Sequence, residues 1–416
     1  MSENEKKVPK RRFKEFENAE EWEQFKLEDL CSIVTKQTGF DYSATIKPSL
    51  QAEVSDTTYP FIQNKDFSGM NINLDTDFFI PKDIAEKFPK ILLDKPAILI
   101  SISGKIGNVG FYRLDNKAFI GGAVGICKLL DASDGVLIVY ELSSDIGQLH
   151  FSSLTKASSH ANITVEDIRK LPIKIPKSVK EKELIGMFFS SLDNLITLHQ
   201  RKLEKMKVLK KAYLTDMFPV EGEHKPKLRF AGFTDDWEQY KLGDLGEVVM
   251  NRRIFKEQTS DEGDVPFYKI GTFGSEPDAF ISRKLFEEYK LKYPYPEKGD
   301  ILISASGSIG RTVEYMGKDE YFQDSNIVWL KHDNRIINSF LKQFYSIVKW
   351  SGLEGSTIKR LYNKNILDTP ILLPKPEEQK KIGQFFIELD NLITPHQRKL
   401  EKLQNIKKAY LNEMFI

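Results

Sequence analysis

Two stretches of the chain have the hydrophobic spacing of a long helix with one apolar face. In each stretch, apolar residues recur at alternating steps of four and three, which is typical of a coiled-coil seam. At a rise of about 1.5 Å per residue, roughly 35 residues of this kind would form a helix of about 50 Å. The predicted seam residues are Ile185, Phe189, Leu192, Ile196, Leu203 and Met206 in the first stretch and Ile382, Phe386, Leu389, Ile393, Leu400 and Leu403 in the second.

The two stretches are also near-copies of one another. Residues 192–205 read LDNLITLHQRKLEK and residues 389–402 read LDNLITPHQRKLEK, so 13 of 14 positions are identical. Two such helices would most simply bury their seams against each other, and an antiparallel pairing would relate the two halves of the chain by a pseudo-two-fold axis. The alternative is that each helix packs only on its own globular part. At Pro395, where the first copy has Leu198, we expect a lost hydrogen bond and a kink.

Three weaker repeats extend the duplication to the whole chain. They pair WEQFKLEDL (22–30) with WEQYKLGDL (237–245), AILISISGKIGNV (97–109) with DILISASGSIGRTV (300–313), and DIRKLPIKIPK (167–177) with NILDTPILLPK (365–375). The chain therefore consists of two repeats, about 1–218 and 219–416. Each has a variable globular part followed by a strongly repeated helix.

The variable parts have the pattern of mixed α and β structure, because short β-rich runs alternate with Gly, Asn and Asp turns. We predict an α+β fold in which two mixed α/β domains are separated by a long antiparallel coiled coil of the two repeated helices. The runs are Tyr59–Ile62, Ile98–Ile102, Val109–Tyr112, Ile301–Ser304 and Ile327–Leu330, and further helices are expected over Gly135–Leu149 and Asn338–Ser351. The predicted boundaries are a basic N-terminal tail 1–16, a first globular domain 17–177, a central helix 178–218, a second globular domain 219–375 with a linker at 219–231, and a C-terminal helix 376–416.

The charge balance speaks weakly against a nucleic-acid partner. The 416 residues include 61 Lys or Arg and 60 Asp or Glu, for a net charge of +1, whereas nucleic-acid binders usually carry a basic domain. Local charge differs from this average, because residues 201–211 carry +5 and residues 398–408 carry +4. Such runs are either solvated helix faces or stripes that face DNA or an acidic partner. The near-neutral total therefore does not exclude DNA.

The motifs of catalysis are missing from the sequence. The chain has no P-loop, no HExxH and no GxSxG, and its two cysteines, Cys31 and Cys127, are far apart with no partner spacing. We therefore expect neither a zinc site nor a disulfide. There is no secretory signal and no apolar stretch long enough for a membrane span. These features favour a cytoplasmic recognition module over an enzyme.

The order and duplication of these segments resemble the specificity subunit of type I restriction-modification systems. The resemblance rests on GDILISASGSIG (299–310), on PILLPKPEEQKKI (370–382) and on the two helical repeats carrying HQRKLEK, and it covers nearly the whole chain. It implies that each globular part is a target recognition domain reading one half of a bipartite, non-palindromic sequence in double-stranded DNA. The paired helices would set the spacing between the two halves.

The resemblance also implies partners. The chain would dock two methyltransferase (modification) subunits, and restriction subunits would join the full complex. Methylation and cleavage would belong to those partners, together with the cofactors S-adenosylmethionine, ATP and Mg. This chain would then be a non-catalytic subunit that holds no cofactor or metal.

Base readout requires amides, hydroxyls, Arg or Lys near the groove edges, and loops that follow strands are the usual place for them. The predicted base contacts are Gln63, Asn64, Lys65, Ser103, Lys105 and Asn108 in the first repeat and Lys269, Ser306, Ser308, Arg311, Gln323, Ser325 and Asn326 in the second. Predicted phosphate contacts are Arg252, Arg253, Lys359 and Arg360. For each of them an ordinary solvated surface position is the alternative.

Two other functions remain open from the sequence. A self-contained restriction or methyltransferase enzyme is disfavoured by the missing motifs. A coiled-coil scaffold with two protein-binding heads and no DNA readout is the alternative to a DNA-reading subunit. A scaffold would ignore DNA, whereas a DNA reader together with its partners would bind with a strong dependence on salt.

Overall fold

The computed structural model describes residues 8–113, 116–156, 162–350 and 359–415, and the chain divides into two compact units. Unit 1 contains Met1–Gln200 and Arg398–Ile416, and unit 2 contains Arg201–Gln397. The division falls in the middle of two long helices, so each of them begins in one unit and ends in the other. No helix in these described ranges is long and apolar enough to cross a membrane.

Unit 1 is a mixed α/β structure. Its strands are β1 (Glu23–Lys26), β2 (Cys31–Lys36), β3 (Thr58–Ile62), β4 (Phe67–Ser68), β5 (Asn71–Ile72), β6 (Phe79–Pro81), β7 (Leu92–Leu93), β8 (Ala97–Ser101), β9 (Val109–Tyr112), β10 (Ala118–Ile120), β11 (Val124–Leu129) and β12 (Pro172–Ile175). Its helices are α1 (Gly39–Asp41), α2 (Lys47–Ser49), α3 (Lys82–Ala85), α4 (Gly135–Ser143), α5 (Asp145–Lys156), α6 (Val165–Arg169) and the first part of α7 (Val179–Asp216).

Unit 2 repeats this order in a shorter form. Its strands are β13 (Glu238–Lys241), β14 (Gly246–Val249), β15 (Val265–Tyr268), β16 (Phe280–Ile281), β17 (Ile301–Ser304), β18 (Thr312–Glu314), β19 (Tyr321–Phe322), β20 (Ile327–His332) and β21 (Pro370–Leu373). Its helices are α8 (Leu242–Leu245), α9 (Arg283–Lys292), α10 (Asn338–Ile347), α11 (Asn363–Leu367) and the first part of α12 (Pro376–Met414).

Each unit has a main antiparallel sheet, with strand order β2-β11-β8-β9 in unit 1 and β14-β20-β17-β18 in unit 2. Strand β8 is apolar at nearly every position because both of its faces are buried. Ile98 and Ile100 belong to the core that includes α4, whereas Ala97 and Leu99 belong to a second core on the other side. Successive side chains of a strand point to opposite faces, so a strand that is covered on both faces has no polar alternation.

The second sheet of each unit contains a parallel strand pair. Its order is β6-β3-β10-β7 in unit 1, where β3 and β10 are parallel, and β16-β15-β19 in unit 2, where β15 and β19 are parallel. In each unit, two strands from the weak sequence repeats pair with each other as a third, two-stranded sheet, β1 with β12 in unit 1 and β13 with β21 in unit 2. Phe25 of β1 lies opposite Ile173 of β12, and Tyr240 of β13 lies opposite Ile371 of β21. This ribbon leads directly into the long helix of its unit.

Within unit 1 the start of α7 packs against the end of α12. The Phe188 and Tyr410 ring centroids are 4.9 Å apart, and Lys407 Nζ donates to Asp193 Oδ1 at 2.5 Å. The partner position on α12 falls as the position on α7 rises, so the helices are antiparallel. Lys407 follows the same spacing as the seam residues of α12. Its side chain is mostly buried, and its charged amine reaches Asp193 on α7.

Unit 2 contains the matching half of this arrangement. Tyr213 of α7 lies 5.0 Å from Phe385 of α12, and Lys210 Nζ donates to Asp390 Oδ1 at 2.6 Å. The antiparallel pairing confirms the predicted coiled coil of the two repeated helices. All twelve predicted seam residues are buried or half-buried. Helix α12 runs as one helix through Pro395.

A buried Arg–Glu pair anchors the segment before the first strand in each unit. In unit 1, Arg12 Nε and Nη2 donate to the two carboxylate oxygens of Glu181 at 2.8 and 2.7 Å. In unit 2, Arg229 makes the same two bonds to Glu378 at the same distances. The predicted tail, from residue 8 onward, and the predicted linker therefore carry the same anchor. In sequence they share a Pro-Lys-x-Arg-Phe pattern, at residues 9–13 and 226–230.

The backbone around this anchor also repeats. The Arg11 N–H donates to the carbonyl of Glu413 at 2.8 Å, and the Leu228 N–H donates to the carbonyl of Asp216 at 2.8 Å. Asp216 and Glu413 are equivalent positions of the two long helices. The segment before each first strand is thus tied to the end of a long helix in the same way.

Two sequence expectations need correction. The helix predicted over Gly135–Leu149 breaks at Ser144, whose backbone is extended and whose hydroxyl accepts from the Gly147 N–H at 3.2 Å. Ser is a preferred N-cap residue, so the sequence SSD ends α4 and starts α5. The helix predicted over Asn338–Ser351 ends at Ile347, because Val348 is extended. Ser351 lies outside the described residues.

The cysteines are not far apart in space. Cys31 is on β2 and Cys127 is on β11, which are neighbouring antiparallel strands. Both are free thiols. A hydrogen bond with the Cys31 thiol, together with burial, raises the pKa of Cys127 well above its usual value. The sequence separation concealed this contact, because sheet pairing joins distant segments.

Candidate nucleic-acid interface

The hairpin turn between β8 and β9 presents three of the predicted contacts of unit 1. Gly104 and Gly107 have positive φ angles of 71° and 79°, which other residues rarely adopt. The Ser101 hydroxyl donates to the carbonyl of Lys105 and accepts from the Asn108 N–H at 3.2 Å. This serine therefore fixes the shape of the turn from inside.

The hairpin between β17 and β18 of unit 2 has the same frame. Gly307 and Gly310 have φ angles of 65° and 81°. The Ser304 hydroxyl donates to the carbonyl of Ser308 and accepts from the Arg311 N–H at 3.0 Å. The frame is thus common to both units, whereas the displayed side chains differ, with Lys105 and Asn108 in one unit and Ser308 and Arg311 in the other.

Around its hairpin, unit 1 gathers three loops, residues 63–66, 103–108 and 162, which we call loop cluster 1. Asn64 Nδ2 donates to the carbonyl of Ser103 at 2.7 Å. Asn108 Nδ2 donates to the carbonyls of Asn64 and Phe67 at 3.1 and 2.6 Å. Ser103 forms a β-bridge with Asn162. Asn64 and Asn108, two of the predicted base contacts, therefore use side-chain N–H groups to hold these loops together.

The remaining predicted contacts of unit 1 differ in exposure. The side chain of Gln63 is half-buried, and its backbone N–H donates to Asp66 at 2.8 Å. Lys65 is exposed and forms an ion pair with Asp77. Lys105 is exposed at the tip of the hairpin. Of these groups, Lys105 is the best placed for contact with a ligand outside the unit.

Unit 2 gathers residues 269–274, 306–311, 323–326 and 360, which we call loop cluster 2. The Ser306 hydroxyl donates to Asn326 Oδ1 at 2.8 Å, and Gln323 Oε1 accepts from the Ile270 N–H at 3.0 Å. Arg360 Nη2 donates to the carbonyl of Ser325 at 2.7 Å. The structure thus brings together five predicted contacts from distant segments, and the hydrogen bonds described above join them to other residues of the same cluster.

The cations of unit 2 surround loop cluster 2. Arg253 Nε donates to Asp324 Oδ2 at 2.9 Å, and Lys269 forms an ion pair with Asp278 at 2.9 Å. The exposed Arg311 makes a long contact of 3.4 Å to the Gly274 carbonyl. The side chains of Ser308, Arg252 and Lys359 are exposed. A pair with one carboxylate oxygen leaves other guanidinium N–H groups for a phosphate.

Sequence reasoning missed two buried amides beside these clusters. Gln37 follows β2 in unit 1, and Asn251 follows β14 in unit 2. Both are almost fully buried and each has side-chain atoms that make no hydrogen bond within the described parts of the chain. Each amide lies within two residues of the end of its strand, in CSIVTKQ and GEVVMN, but nothing in these segments sets it apart from other polar residues that follow strands.

No group of three or more His, Cys, Asp or Glu residues is arranged to hold a metal ion anywhere in the described ranges. The arrangement found in each unit is instead a rigid hairpin frame with amides, hydroxyls and basic side chains around it. That chemistry suits recognition of hydrogen-bonding edges and phosphates. The fold and site define a duplicated recognition protein.

The comparisons with known proteins agree with this class. The family model described as type I restriction modification DNA specificity domain matches residues 19–208 and again residues 234–405. The chain therefore belongs to the family of type I restriction-modification specificity subunits, as the sequence resemblance predicted. Members are specificity subunits and not the catalytic subunits, which confirms the prediction of a non-catalytic chain.

Two relatives and one solved structure illustrate the similarity. A putative type I restriction enzyme specificity subunit of Haemophilus influenzae is 40% identical over 245 residues, which span 59% of this chain and 62% of that protein. The MjaVIII specificity subunit of Methanocaldococcus jannaschii is 24% identical over 362 residues, covering 80% of this chain and 83% of the relative. The crystal structure of a type I S subunit from M. genitalium has the same fold, with a TM-score of 0.65 at 18% identity and coverage of 98% and 99%.

Proposed function

We propose that this chain reads a bipartite, non-palindromic DNA sequence for a type I restriction-modification complex. Unit 1 reads one half of the target and unit 2 reads the other. The paired helices set the spacer, since helices of about 50 Å are long enough to hold two readers at least one DNA turn of about 34 Å apart. DNA recognition as such follows from the family, and the proposal adds that each unit of this chain reads one half of the target.

The observation that carries this proposal is the repeated hairpin with different side chains. The buried serine, Ser101 or Ser304, fixes an equivalent turn in both units. The residues on that turn differ, and so do the surrounding loops. A common frame with different readers favours two different half-sites, because base identity is read by side chains and not by the backbone frame.

The long helices supply faces for the partner subunits. In unit 1, Met187, Leu195 and Leu198 are exposed on α7, and in unit 2 Leu392 is exposed on α12. Exposed apolar side chains at helical spacing mark interaction surfaces. Since the helices are repeats, the chain offers an equivalent helix to each of two methyltransferase subunits. Restriction subunits join this assembly in the complete complex.

The proposal assigns all cofactors to the partners. S-adenosylmethionine, ATP and Mg serve methylation and cleavage on the methyltransferase and restriction subunits, while this chain contributes target choice. The proposed place of action is the cytoplasm, where such partners and DNA meet. The chain itself holds no metal or nucleotide in this scheme.

The test is to express the chain with a methyltransferase subunit and to map methylated adenines across the host genome. We expect one bipartite motif with a fixed gap. The methyltransferase alone and the same subunit with a different specificity chain serve as controls for background and for partner activity. Absence of a new motif while the partner is active on its other specificity chain would contradict the proposal, and would favour a scaffold without DNA readout.

The division of labour has its own test. Replacing residues 1–170 by the corresponding domain of another family member should change one half of the motif alone. A change in both halves would contradict the assignment of one unit to one half. Lengthening both long helices by matched whole turns should change only the gap.

A further inference from the structure

A cleft of about 480 Å³ opens beside loop cluster 2. Its lining includes Asn251, Arg252, Arg253, Phe255 and Tyr293. Phe255 and the side chain of Arg253 are more than half exposed and form the rim, whereas Asn251 is only 2% exposed and forms the floor. A ligand that reaches the floor must therefore pass these exposed rim side chains.

The amide at the floor has unused hydrogen-bonding capacity. Neither Nδ2 nor Oδ1 of Asn251 makes a hydrogen bond of full geometry to a described residue, although the amide lies close enough to the Tyr321 hydroxyl to lower the pKa of that phenol against the larger, opposing effect of burial. The hydroxyl of the adjacent Tyr321 donates to the backbone carbonyl of Arg252 at 3.0 Å, so its hydrogen is already committed. A buried amide without partners is costly in free energy, and native proteins seldom retain one without a reason. Oδ1 of Asn251 is thus a free acceptor, and Nδ2, which is close to the Tyr321 hydroxyl oxygen, has a second N–H for a ligand.

The charges around the cleft suit a nucleic-acid strand. The Arg252 guanidinium lies 5.3 Å from the centroid of the Tyr293 ring, which restricts its direction. Arg253 donates to Asp324 through Nε, and Asp324 also lines the cleft. Two guanidinium groups against one carboxylate leave a net positive charge at the rim, where backbone phosphates would pass.

Unit 1 has an amide at the corresponding place. Gln37 follows edge strand β2 of the main sheet as Asn251 follows edge strand β14. Gln37 is 4% exposed, its Oε1 lacks a hydrogen bond among the described residues, and its Nε2 reaches only the carbonyl of Ile120 at 3.4 Å. The under-bonded amide is therefore a feature of both units, which argues against a local accident in unit 2.

We propose that Asn251 is a base-reading residue of unit 2, and that the base it selects is adenine. The adenine edge in the major groove presents the N7 acceptor and the N6 donor, which match an amide N–H and an amide oxygen in one bidentate contact. Arg252 and Arg253 bind the flanking phosphates and fix the register. This inference rests on the proposed function, since it requires that unit 2 reads one half of a bipartite target.

The first experiment compares motifs read by variants of the full chain in complex with its methyltransferase. Asn251→Ala is expected to relax discrimination about tenfold or more at one adenine position of one half-site, and to leave the other half unchanged. Asn251→Asp is expected to shift that position toward cytosine, whose N4 group donates to a carboxylate. Asn338→Ala is the matched control, because this amide lies on α10 and is bonded to His332 at 2.6 Å.

A second measurement uses the unaltered complex, so that it does not depend on the folding of a variant. Target oligonucleotides carry 7-deazaadenine, which lacks the N7 acceptor, at each adenine of the half-site read by unit 2. We expect about tenfold weaker binding for one position and no loss for the others. An unchanged motif in both Asn251 variants, or equal binding of all substituted oligonucleotides, would overturn the inference while the bipartite motif of the unaltered chain still stands. Failure of the unaltered chain to specify any motif would instead overturn the proposed function.

Discussion

Unit 1 and unit 2 build the main sheet in the same strand order, but within the described residues the second sheet has four strands in unit 1 and three in unit 2. The helix anchor is also common, since Arg12–Glu181 and Arg229–Glu378 have matching bonds. The loops that pack on the second sheet differ in length and in side chains. Parts that join each unit to the long helices are thus the same in both units, whereas parts near the loop clusters vary.

This contrast assigns different tasks to the two parts of a unit. The main sheet, the two-stranded ribbon and the anchor must hold one geometry relative to a helix that is nearly identical in both copies. In the proposed function, the second sheet and its loops are free to change with the DNA sequence that the unit reads. Equivalent substitutions in the common part should therefore have similar effects on unit 1 and on unit 2, while substitutions in the variable part have no counterpart in the other unit.

The largest effect is expected from breaking the buried anchor. Arg12→Ala leaves Glu181 unpaired, and both side chains are at most 4% exposed, so we expect a loss of about 3–5 kcal/mol in the free energy of unfolding of unit 1. Arg229→Ala should cost unit 2 a similar amount. Urea unfolding followed by tryptophan fluorescence would measure both losses.

The matched control for the anchor is Lys180→Ala. Lys180 and Glu15 also join the initial segment to α7, but their side chains are 68% and 47% exposed. An exposed pair contributes less than about 1 kcal/mol. Equal losses for Arg12→Ala and Lys180→Ala would show that the buried pair does not anchor the segment.

The next effect concerns a carboxyl group that lies in unit 1. Burial raises the pKa of Glu141 on α4 to about 8, although its oxygens accept the Lys174 N–H at 2.9 Å. The folded state therefore binds the proton more tightly than the unfolded chain, whose glutamate pKa is 4.5. The resulting stabilisation is complete at low pH and is lost as the pH rises from about 4.5 to 8.

From pH 6 to pH 8 this coupling should lower the stability of unit 1 by about 2 kcal/mol. Glu141→Gln should remove most of that dependence, and the control Glu166→Gln, on the exposed face of α6, should not. Unit 2 buries an amide, Gln343, on the corresponding helix α10 and should lack this contribution. Unfolding curves at both pH values would check the sign, and a Glu141→Gln slope equal to that of the unaltered chain would contradict it.

A smaller difference is expected between equivalent glycines of the two long helices. A methyl group on Gly383 would overlap the Ser339 side chain and lie 3.1 Å from its backbone carbon, whereas on Gly186 it would lie 3.3 Å from a methyl group of Val136. We expect Gly383→Ala to destabilise unit 2 by about 1–2 kcal/mol through overpacking. For Gly186→Ala the gain in helix propensity should offset the mild crowding, leaving a change within about 0.5 kcal/mol. Thermal unfolding would show a lower melting temperature for Gly383→Ala than for Gly186→Ala. Equal changes in melting temperature for the two variants would contradict the prediction.

The smallest effect is on assembly with the proposed methyltransferase partners. Leu195 and Leu392 are equivalent positions that are apolar and exposed in both long helices. Leu195→Glu and Leu392→Glu should each weaken the binding of one partner subunit about tenfold, as expected for an apolar contact in an interface. Asn194→Glu and Asn391→Glu add the same charge at exposed neighbouring positions and serve as controls. Sedimentation of mixtures at defined ratios would report the stoichiometry, and equal effects of leucine and asparagine variants would exclude this docking face.

The sequence was a good guide wherever the signal was local or repeated. The seam of α7 and α12 is visible because heptad spacing persists over the whole helix, and the hairpin frame is visible because glycine and serine recur at fixed places. The family followed from the order of these segments. None of these inferences requires knowledge of which distant segments meet.

The candidate site was harder to predict because its function depends on non-local contacts. Asn108 has the right chemistry for base reading, yet its N–H groups bond to the carbonyls of Asn64 and Phe67. Asn251 has the same side chain, and no sequence rule separates a bonded amide from an unbonded one. The anchor was missed for the same reason, since Arg12 and Glu181 are joined only by folding.

The bond from the Arg11 N–H to the Glu413 carbonyl has a counterpart from Leu228 to Asp216, where residues 217–227 connect the two ends. A connecting segment like 219–225, placed between residues 415 and 9, would therefore close the backbone into a cyclic order of two repeats. The closed chain could then be cut within 217–227, and the hydrogen bonds from Arg11 to Glu413 and from Leu228 to Asp216 would both remain. A circular permutant that is closed in this way and cut within 217–227 should fold, because both backbone hydrogen bonds are kept, and circular dichroism would check this.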